Sequence, residues 1–401
     1  MNANMLSFDE ALATLLDKAR AVREVEMADT MVALGRVLAS DLHSPVAMPA
    51  LDTSAMDGYA VRIADVPAAG TALRVTQRIP AGSVGHALEA GGAARIFTGA
   101  PLPAGADAVV MQELCELDGD RVTINHEPRA GEAVRAAGSE IACGAVILPA
   151  GVRLRAQELG LAASVGLAQL PVLRRVRVAL FSTGSELVMP GEPLPPGAVY
   201  NSNRFQLRAL LEQLGCEVSD FGIVPDRLDA TRETLRRAAE GHDLIVTSGG
   251  VSVGEEDHVK PAVEAEGVLE MWKIAMKPGK PLAYGRVGAA AFIGLPGNPV
   301  SSFVTFLMMV RPFILATQGV REVRPRALSL RADFDWPRPD RRREFLRGRS
   351  NEHGGVDVHA HQGSAALSSI VWADGLIDVP AATAIARGDI VRFIPYGELL
   401  G

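Results

Sequence analysis

The chain has 401 residues, 48% of them apolar, and a formal net charge of −7. Single hydrophobic cores stop growing near ~250–300 residues, so this length predicts more than one globular domain. The acidic balance excludes a general attraction to nucleic acid or anionic membrane, and an anionic ligand must be met by a local cluster of cations.

Asp9, Glu10 and Asp17 stand among the first apolar residues, without a basic segment leading into an apolar core, so no secretory signal is expected and the expected location is cytoplasmic. Residues 6–40 carry Leu12, Leu15, Leu16 and Ala19 at helical spacing, which predicts one or two amphipathic helices. Between 51 and 140, short apolar runs at 73–75, 94–97, 108–111 and 121–124 alternate with Gly/Pro turns and predict a β-rich module. Residues 146–148 and a helix-like 156–165 lead into Pro171, so 1–50 and 141–174 together are expected to form a helical and linking unit. From 175 to 320, strands at 176–181, 217–223 and 244–246 alternate with helices at 204–214 and 230–239, which predicts right-handed crossovers and a parallel sheet. Residues 321–401 read as a C-terminal β domain, with alternation at 327–334 and basic residues between 338 and 349. The expected fold class is therefore α/β multidomain: a central doubly wound α/β domain, β-rich satellite domains and an N-terminal helical segment. The longest apolar stretch, 303–310, stops at Arg311 and Pro312, short of the ~20 residues that cross a bilayer. Cys115, Cys143 and Cys216 are odd in number and form no CxxC pair, against a disulfide framework or a zinc site.

The segment 243–257, DLIVTSGGVSVGEED, points most directly to chemistry. A buried strand empties into Ser248, Gly249 and Gly250, where backbone amides can approach a phosphate, and then into Glu255, Glu256 and Asp257. The strand at 176–181 ends in the similar turn Ser182, Thr183 and Gly184, followed by Glu186, and Asp226 follows the strand between them. Ligands of open α/β sheets sit at such carboxyl ends, and Glu186, Asp226 and Asp257 would be hard oxygen ligands for Mg²⁺ there. Each acid alone reads more readily as a helix cap or a solvated side chain, and it is their joint position at one sheet edge that points to a metal. In WKIAMKPGKP, an extended 271–276 would point Lys273 and Lys277 the same way, with Lys280 beyond a Pro-Gly bend, either as a cationic cluster that receives a polyanion or as a lysine-guarded edge strand. Pro296 and Pro299 flank a rigid strand-to-helix turn whose helix end can accept an anion, or which is turn chemistry alone. His353, His359 and His361 lack supporting ligands and read as surface histidines.

Taken together, DTSAMDGYAV, IFTGAPLPAGADAVVMQE, VALFSTGSEL, VYNSNR, DLIVTSGGVSVGEEDHVK, WKIAMKPGKPLAYG and GLPGNPVSSFVTF resemble the MoeA family of molybdopterin molybdenumtransferases, which includes the E domain of gephyrin. The resemblance spans essentially the whole chain in order. It implies a four-domain homodimer with its active site at the subunit interface, which inserts molybdenum from molybdate into adenylylated molybdopterin with Mg²⁺ and releases AMP. A molybdopterin adenylyltransferase would be the upstream donor. Carried onto this chain, it implies catalytic roles for Asp57, Glu186, Asp226, Lys273 and Lys277, with Glu186, Asp226 and Asp257 on the metal. Ligand contacts would come from Thr98, Thr183, Gly184, Ser248, Gly249 and Gly250, from Lys280, Pro296 and Pro299, and from Arg343, Arg347 and Ser368. The chain departs from the family pattern at Glu140, where an Asp is frequent, and at Asn201, where some members carry Asp. Two other readings stand beside this one. A receptor-anchoring scaffold would be expected to carry an added linker or domain, and an enzyme acting on another nucleotide-linked pterin or acid would copurify with a different ligand.

Overall fold

The computed structural model describes residues 5–251 and 258–400. Its central sheet has seven strands, in the order Met5–Leu6, Gly267–Ile274, Pro281–Val287, Ala290–Leu295, Leu244–Ser248, Arg177–Thr183 and Glu217–Val224. The last four are mutually parallel. Pro281–Val287 is antiparallel to both of its neighbours, so the sheet is mixed and not parallel throughout as expected. Only Gly288 and Ala289 separate Pro281–Val287 from Ala290–Leu295, and a two-residue connection makes a hairpin, whereas a parallel pair needs a long crossover.

The inner parallel strands carry unbroken apolar runs at 178–181, 244–246 and 290–293 because both of their faces are covered. Val178, Leu180, Leu244 and Val246 pack with the helices Phe8–Asp17 and Ser202–Gln213 and with residues 299–317. Ala179, Phe181, Ile245 and Phe292 pack with Leu228–Ala239 and Val259–Glu266 on the other side. Residues 299–317 are long and apolar enough to cross a membrane, with mean hydropathy 1.6, but 94% of that window is buried inside the protein. A π-helical turn, Phe306–Val310, precedes Pro312, which has no N–H to continue an α-helical ladder.

Of the one or two helices expected within 6–40, one α-helix forms. Phe8–Asp17 is capped by a reciprocal Ser7–Glu10 box and buries Phe8, Leu12 and Leu15 in the central core. Val25–Asp29 is instead a strand paired antiparallel with Gln169–Leu173, and Leu42–His43 pairs with Val146–Leu148. Short apolar segments carry too few turns for periodicity to separate strand from helix. Residues 58–124 build a six-stranded sheet with apolar clusters on two sides. Toward the C-terminus, Gly375–Val379 pairs back onto Arg343–Ser350 and closes a five-stranded barrel with Gly355–Val358, Leu328–Ala332 and Ile390–Pro395.

Candidate functional site

The carboxyl ends of the parallel strands open into a cavity of about 1030 Å³. One wall comes from three strand-end turns: Thr183, Gly184 and Glu186; Ser248, Gly249 and Gly250; and Pro296 with Pro299. Gly249 and Gly250 have φ of +89° and +65°, a left-handed backbone that glycine adopts at little cost. The Gly249 amide donates to the Leu295 carbonyl at 3.1 Å, which ties two of these turns together. Asp226 lines the same wall, and its Oδ2 accepts from the Ser185 amide at 2.6 Å and from the Ser185 hydroxyl at 2.8 Å. Both bonds fall on one oxygen, and no described residue hydrogen-bonds Oδ1. Asp257 lies outside the described residues. Among the described residues no group of three His, Cys, Asp or Glu side chains is placed to hold a metal, so Glu186 and Asp226 are the two described members of the expected set.

The opposite wall is cationic and comes from elsewhere. The chain leaves the central sheet at Ile274 and immediately forms Met276–Lys277, a short strand parallel to Arg343–Ser350 of the barrel. Lys273 and Lys277 therefore sit in different strands of different sheets and do not share a face as an extended 271–276 would require. Lys277 and Lys280 line the cavity, whereas Lys273 is exposed outside its lining. Arg342 lines it from the barrel side, with Gln362, Gly363 and Ser364.

Several other expected residues stand behind or away from this wall. Arg343 is held by Asp378 at 2.6 and 2.7 Å and by Asp9 at 3.0 Å. Arg347 is fully buried, and burial pushes its guanidinium down to about 10. It donates to the Ser369 hydroxyl at 3.2 Å and to the Gly363 carbonyl at 3.3 Å, supporting the cavity loop from behind. Ser368 is exposed on the helix Leu367–Trp372, outside the lining. The amides of Val300 and Ser301, at the helix end read as an anion acceptor, both point at the Ser364 carbonyl, at 3.0 and 3.4 Å. Asp57 and Thr98 do not line the cavity, but they come together: Asp57 Oδ1 accepts from the Thr98 amide at 2.8 Å and from its hydroxyl at 2.7 Å. These two bonds hold the Asp57 carboxyl below its usual range. The His359 and His361 rings sit 6.0 Å apart, with His359 against the edge of Trp372.

Sequence reasoning passes over Arg342, Gln362 and Ser364, because nothing local distinguishes them from the surrounding basic and polar residues. It names Asn201 only as a family departure and does not name Asn203. Both are buried in the lining, with Asn201 Nδ2 and Asn203 Oδ1 unpartnered among the described residues. YNSN at the start of an amphipathic helix is the available signal. Asn201 caps Ser202–Gln213 by accepting from the Arg204 amide, and Asn203 donates to the Gly297 carbonyl at 2.8 Å.

Fold and cavity define a multidomain protein with a cavity between carboxylates at the edge of an α/β sheet and cations carried on a loop and a barrel. Three family models match in chain order: the MoeA N-terminal region (domain I and II) over residues 6–166, a probable molybdopterin binding domain over 179–316, and the MoeA C-terminal region (domain IV) over 329–396. The chain is similar to a molybdopterin molybdenumtransferase of Haemophilus influenzae, 37% identical over 99% of this chain and 100% of that one. It is 38% identical to molybdopterin molybdenumtransferase 2 of Mycobacterium tuberculosis, over 94% of this chain and 96% of the relative. Among solved structures it is similar to the molybdopterin biosynthesis MoeA protein of Pyrococcus horikoshii, with TM-score 0.85 and 28% identity, covering 98% of this chain and 100% of that one. The chain belongs to the MoeA family, and it is a transferase.

Proposed function

We propose that the protein is a cytoplasmic molybdopterin molybdenumtransferase that takes molybdenum from molybdate into adenylylated molybdopterin and releases AMP. The observation that carries this reading is the division of one cavity into an acidic sheet edge and a cationic wall, which suits a phosphoanhydride on one side and an oxyanion on the other. Mg²⁺ takes oxygen ligands, uses one or two carboxylates and keeps several waters, and the pair Glu186 and Asp226 fits that demand. Bound there, the ion would polarise the phosphoanhydride. Ser185 fixes Asp226 so that its second oxygen is the one left for a metal. Backbone amides of the Thr183–Gly184 and Ser248–Gly250 turns would cradle phosphate oxygens. Lys277, Lys280 and Arg342 would draw molybdate, a tetrahedral dianion, against the dithiolene sulfurs, and proximity would supply much of the rate. Purified protein mixed with molybdopterin-adenylate, Mg²⁺ and molybdate is expected to release AMP only when molybdate is present. AMP release that ignores molybdate would overturn the reading.

The proposed active form is a homodimer. Asp57 and Thr98 lie outside the cavity of their own chain, so in this reading the partner subunit supplies that pair. Exposed apolar side chains close together in the sequence support association: Met27, Met31, Val32 and Leu34 are 59%, 87%, 69% and 62% exposed. Met31→Asp is expected to shift the protein toward monomer in light scattering and to lower transfer in proportion. A dimer mass unchanged at low micromolar concentration would remove this face from the interface.

A further inference from the structure

Lys277 and Arg342, two cations of the cavity wall, are both held by carboxylates that do not themselves line the cavity. Lys277 Nζ lies 2.8 Å from Glu344 Oε1 and 3.4 Å from Asp340 Oδ2. Arg342 meets Asp340 through both its side chain and its backbone: Nε and the amide N donate to Oδ1 at 3.0 Å, and Nη2 donates to Oδ2 at 2.9 Å. Glu344 is itself fixed. It is 1% exposed, and its Oε2 accepts from the Trp336 indole N–H at 3.0 Å and from the Asp340 amide at 3.3 Å. Its Oε1 has no aligned hydrogen bond despite the close approach of Nζ. An ammonium has three donors, so Lys277 keeps donor capacity for a ligand beside these contacts. Burial pulls the Lys277 ammonium down, but Glu344 and Asp340 more than offset this and hold it above the ordinary lysine value, so it stays charged.

We propose that Glu344 and Asp340 are positioning residues for the transfer reaction: anchored on the barrel, they aim Lys277 and Arg342 into the cavity where the oxyanion is received. This rests on the reading of the cavity given above. A lysine stem has four rotatable bonds and a strongly hydrated head, and without a fixed partner it samples many rotamers. A buried carboxylate one shell behind a reactive group restores aim, as it does behind metal-bound histidines, where its loss costs about 10–100-fold. Electrostatics adds a sign that separates aiming from simple support. A nearby negative charge weakens the pull of the wall on an anion, so its removal strengthens oxyanion binding while spoiling geometry.

The test uses Glu344→Gln in the full chain, because the amide oxygen still accepts from Trp336 and from the Asp340 amide. The expected result is a kcat about 10–100-fold lower, a molybdate Kd by equilibrium dialysis that is unchanged or smaller, and a melting temperature close to that of the parent. Asp340→Asn, at a less buried position, is expected to move both quantities in the same directions by less. A kcat within twofold of the parent in both variants overturns the proposal, and so does a parallel loss of kcat, molybdate affinity and melting temperature in both. Lys277→Ala run alongside separates the two levels. Normal turnover in that variant sinks the reading of the cavity itself, whereas an inactive Lys277→Ala beside an unaffected Glu344→Gln sinks the positioning role alone.

Discussion

Asp226→Asn is expected to reduce molybdate-dependent AMP release on the order of 10³-fold while leaving the fold intact. The carboxylate has two jobs at this edge of the sheet. Its Oδ2 ties the Ser185 amide and hydroxyl, at 2.6 and 2.8 Å, and in the proposed mechanism its charge helps to hold the divalent ion. An asparagine oxygen still accepts both Ser185 bonds, so the strand-end turn keeps its shape. What disappears is the negative charge, and with it a ligand that a hard cation needs. Electrostatic groups at transition-state charge are commonly worth about 10²–10³-fold each, and loss of a metal ligand falls at or beyond the upper end of that span. Ser185→Ala supplies the complementary case. It removes the hydroxyl bond alone, which is worth about 1 kcal/mol in stability, and is expected to cost less than tenfold in rate. Turnover by Asp226→Asn within a few-fold of the parent would remove Asp226 from the chemistry.

The second large effect concerns backbone. Gly249→Ala places a side chain on a residue whose φ is +89°, and the new Cβ would stand 2.6 Å from the Thr183 carbonyl oxygen. The left-handed backbone alone costs about 1–3 kcal/mol. The contact adds to this, because its partner is main chain of the neighbouring strand-end turn and cannot rotate away. Relief requires the Thr183 and Ser248 turns to separate, and both line the cavity. Loss of ligand binding should therefore accompany loss of stability. Gly191→Ala isolates the backbone component, since Gly191 has φ +94° and a Cβ added there would meet no described atom within 4 Å. Urea melts and molybdopterin-adenylate binding measured on both variants are expected to show a larger stability loss for Gly249→Ala, and a binding loss for it alone. Equal behaviour of the two would mean that the close approach of the turns is not what shapes the cavity.

Much of the central fold is readable from local pattern. The apolar runs that end in Ser182-Thr183-Gly184 and in Ser248-Gly249 are the strands Arg177–Thr183 and Leu244–Ser248, and the predicted helices at 204–214 and 230–239 appear as Ser202–Gln213 and Leu228–Ala239. Strands covered on both faces are apolar through most of their length, and that constraint leaves a clear trace. The pairing direction of Pro281–Val287 leaves a weaker one, carried only by the brevity of its link to Ala290–Leu295. Val25–Asp29 is hard to recognise as a strand because its apolar residues are mostly exposed, Val25 at 57% and Met27 at 59%, so they do not mark an inward face.

The acidic half of the candidate site belongs to the readable part. Glu186 and Asp226 follow parallel strands directly, and the end of such a strand delivers the residues after it to one known edge. The cationic half does not. Lys273 and Lys277 are separated by a change of sheet at Ala275, whose amide donates to Leu6 and whose carbonyl accepts from Arg343. Arg342 reaches the cavity whereas Arg343 turns to Asp378 and Arg347 is buried against Ser369 and the Gly363 loop. Three arginines within six positions look alike in a string of letters, and their fates differ because their partners come from residues 9, 340, 369 and 378.

By itself, then, the amino-acid order determined the family resemblance, the alternation that builds the central sheet, and the acids and glycines at its carboxyl edge, all of which follow from steric and hydrophobic rules acting over a few residues. Tertiary structure alone decided which cations face those acids, that Asp57 meets Thr98, and that Glu344 and Asp340 stand behind the cavity wall. The physical reason is that where a charged side chain points is set by the partner that compensates it, and here those partners are brought close only when separate strands, turns and sheets pack together.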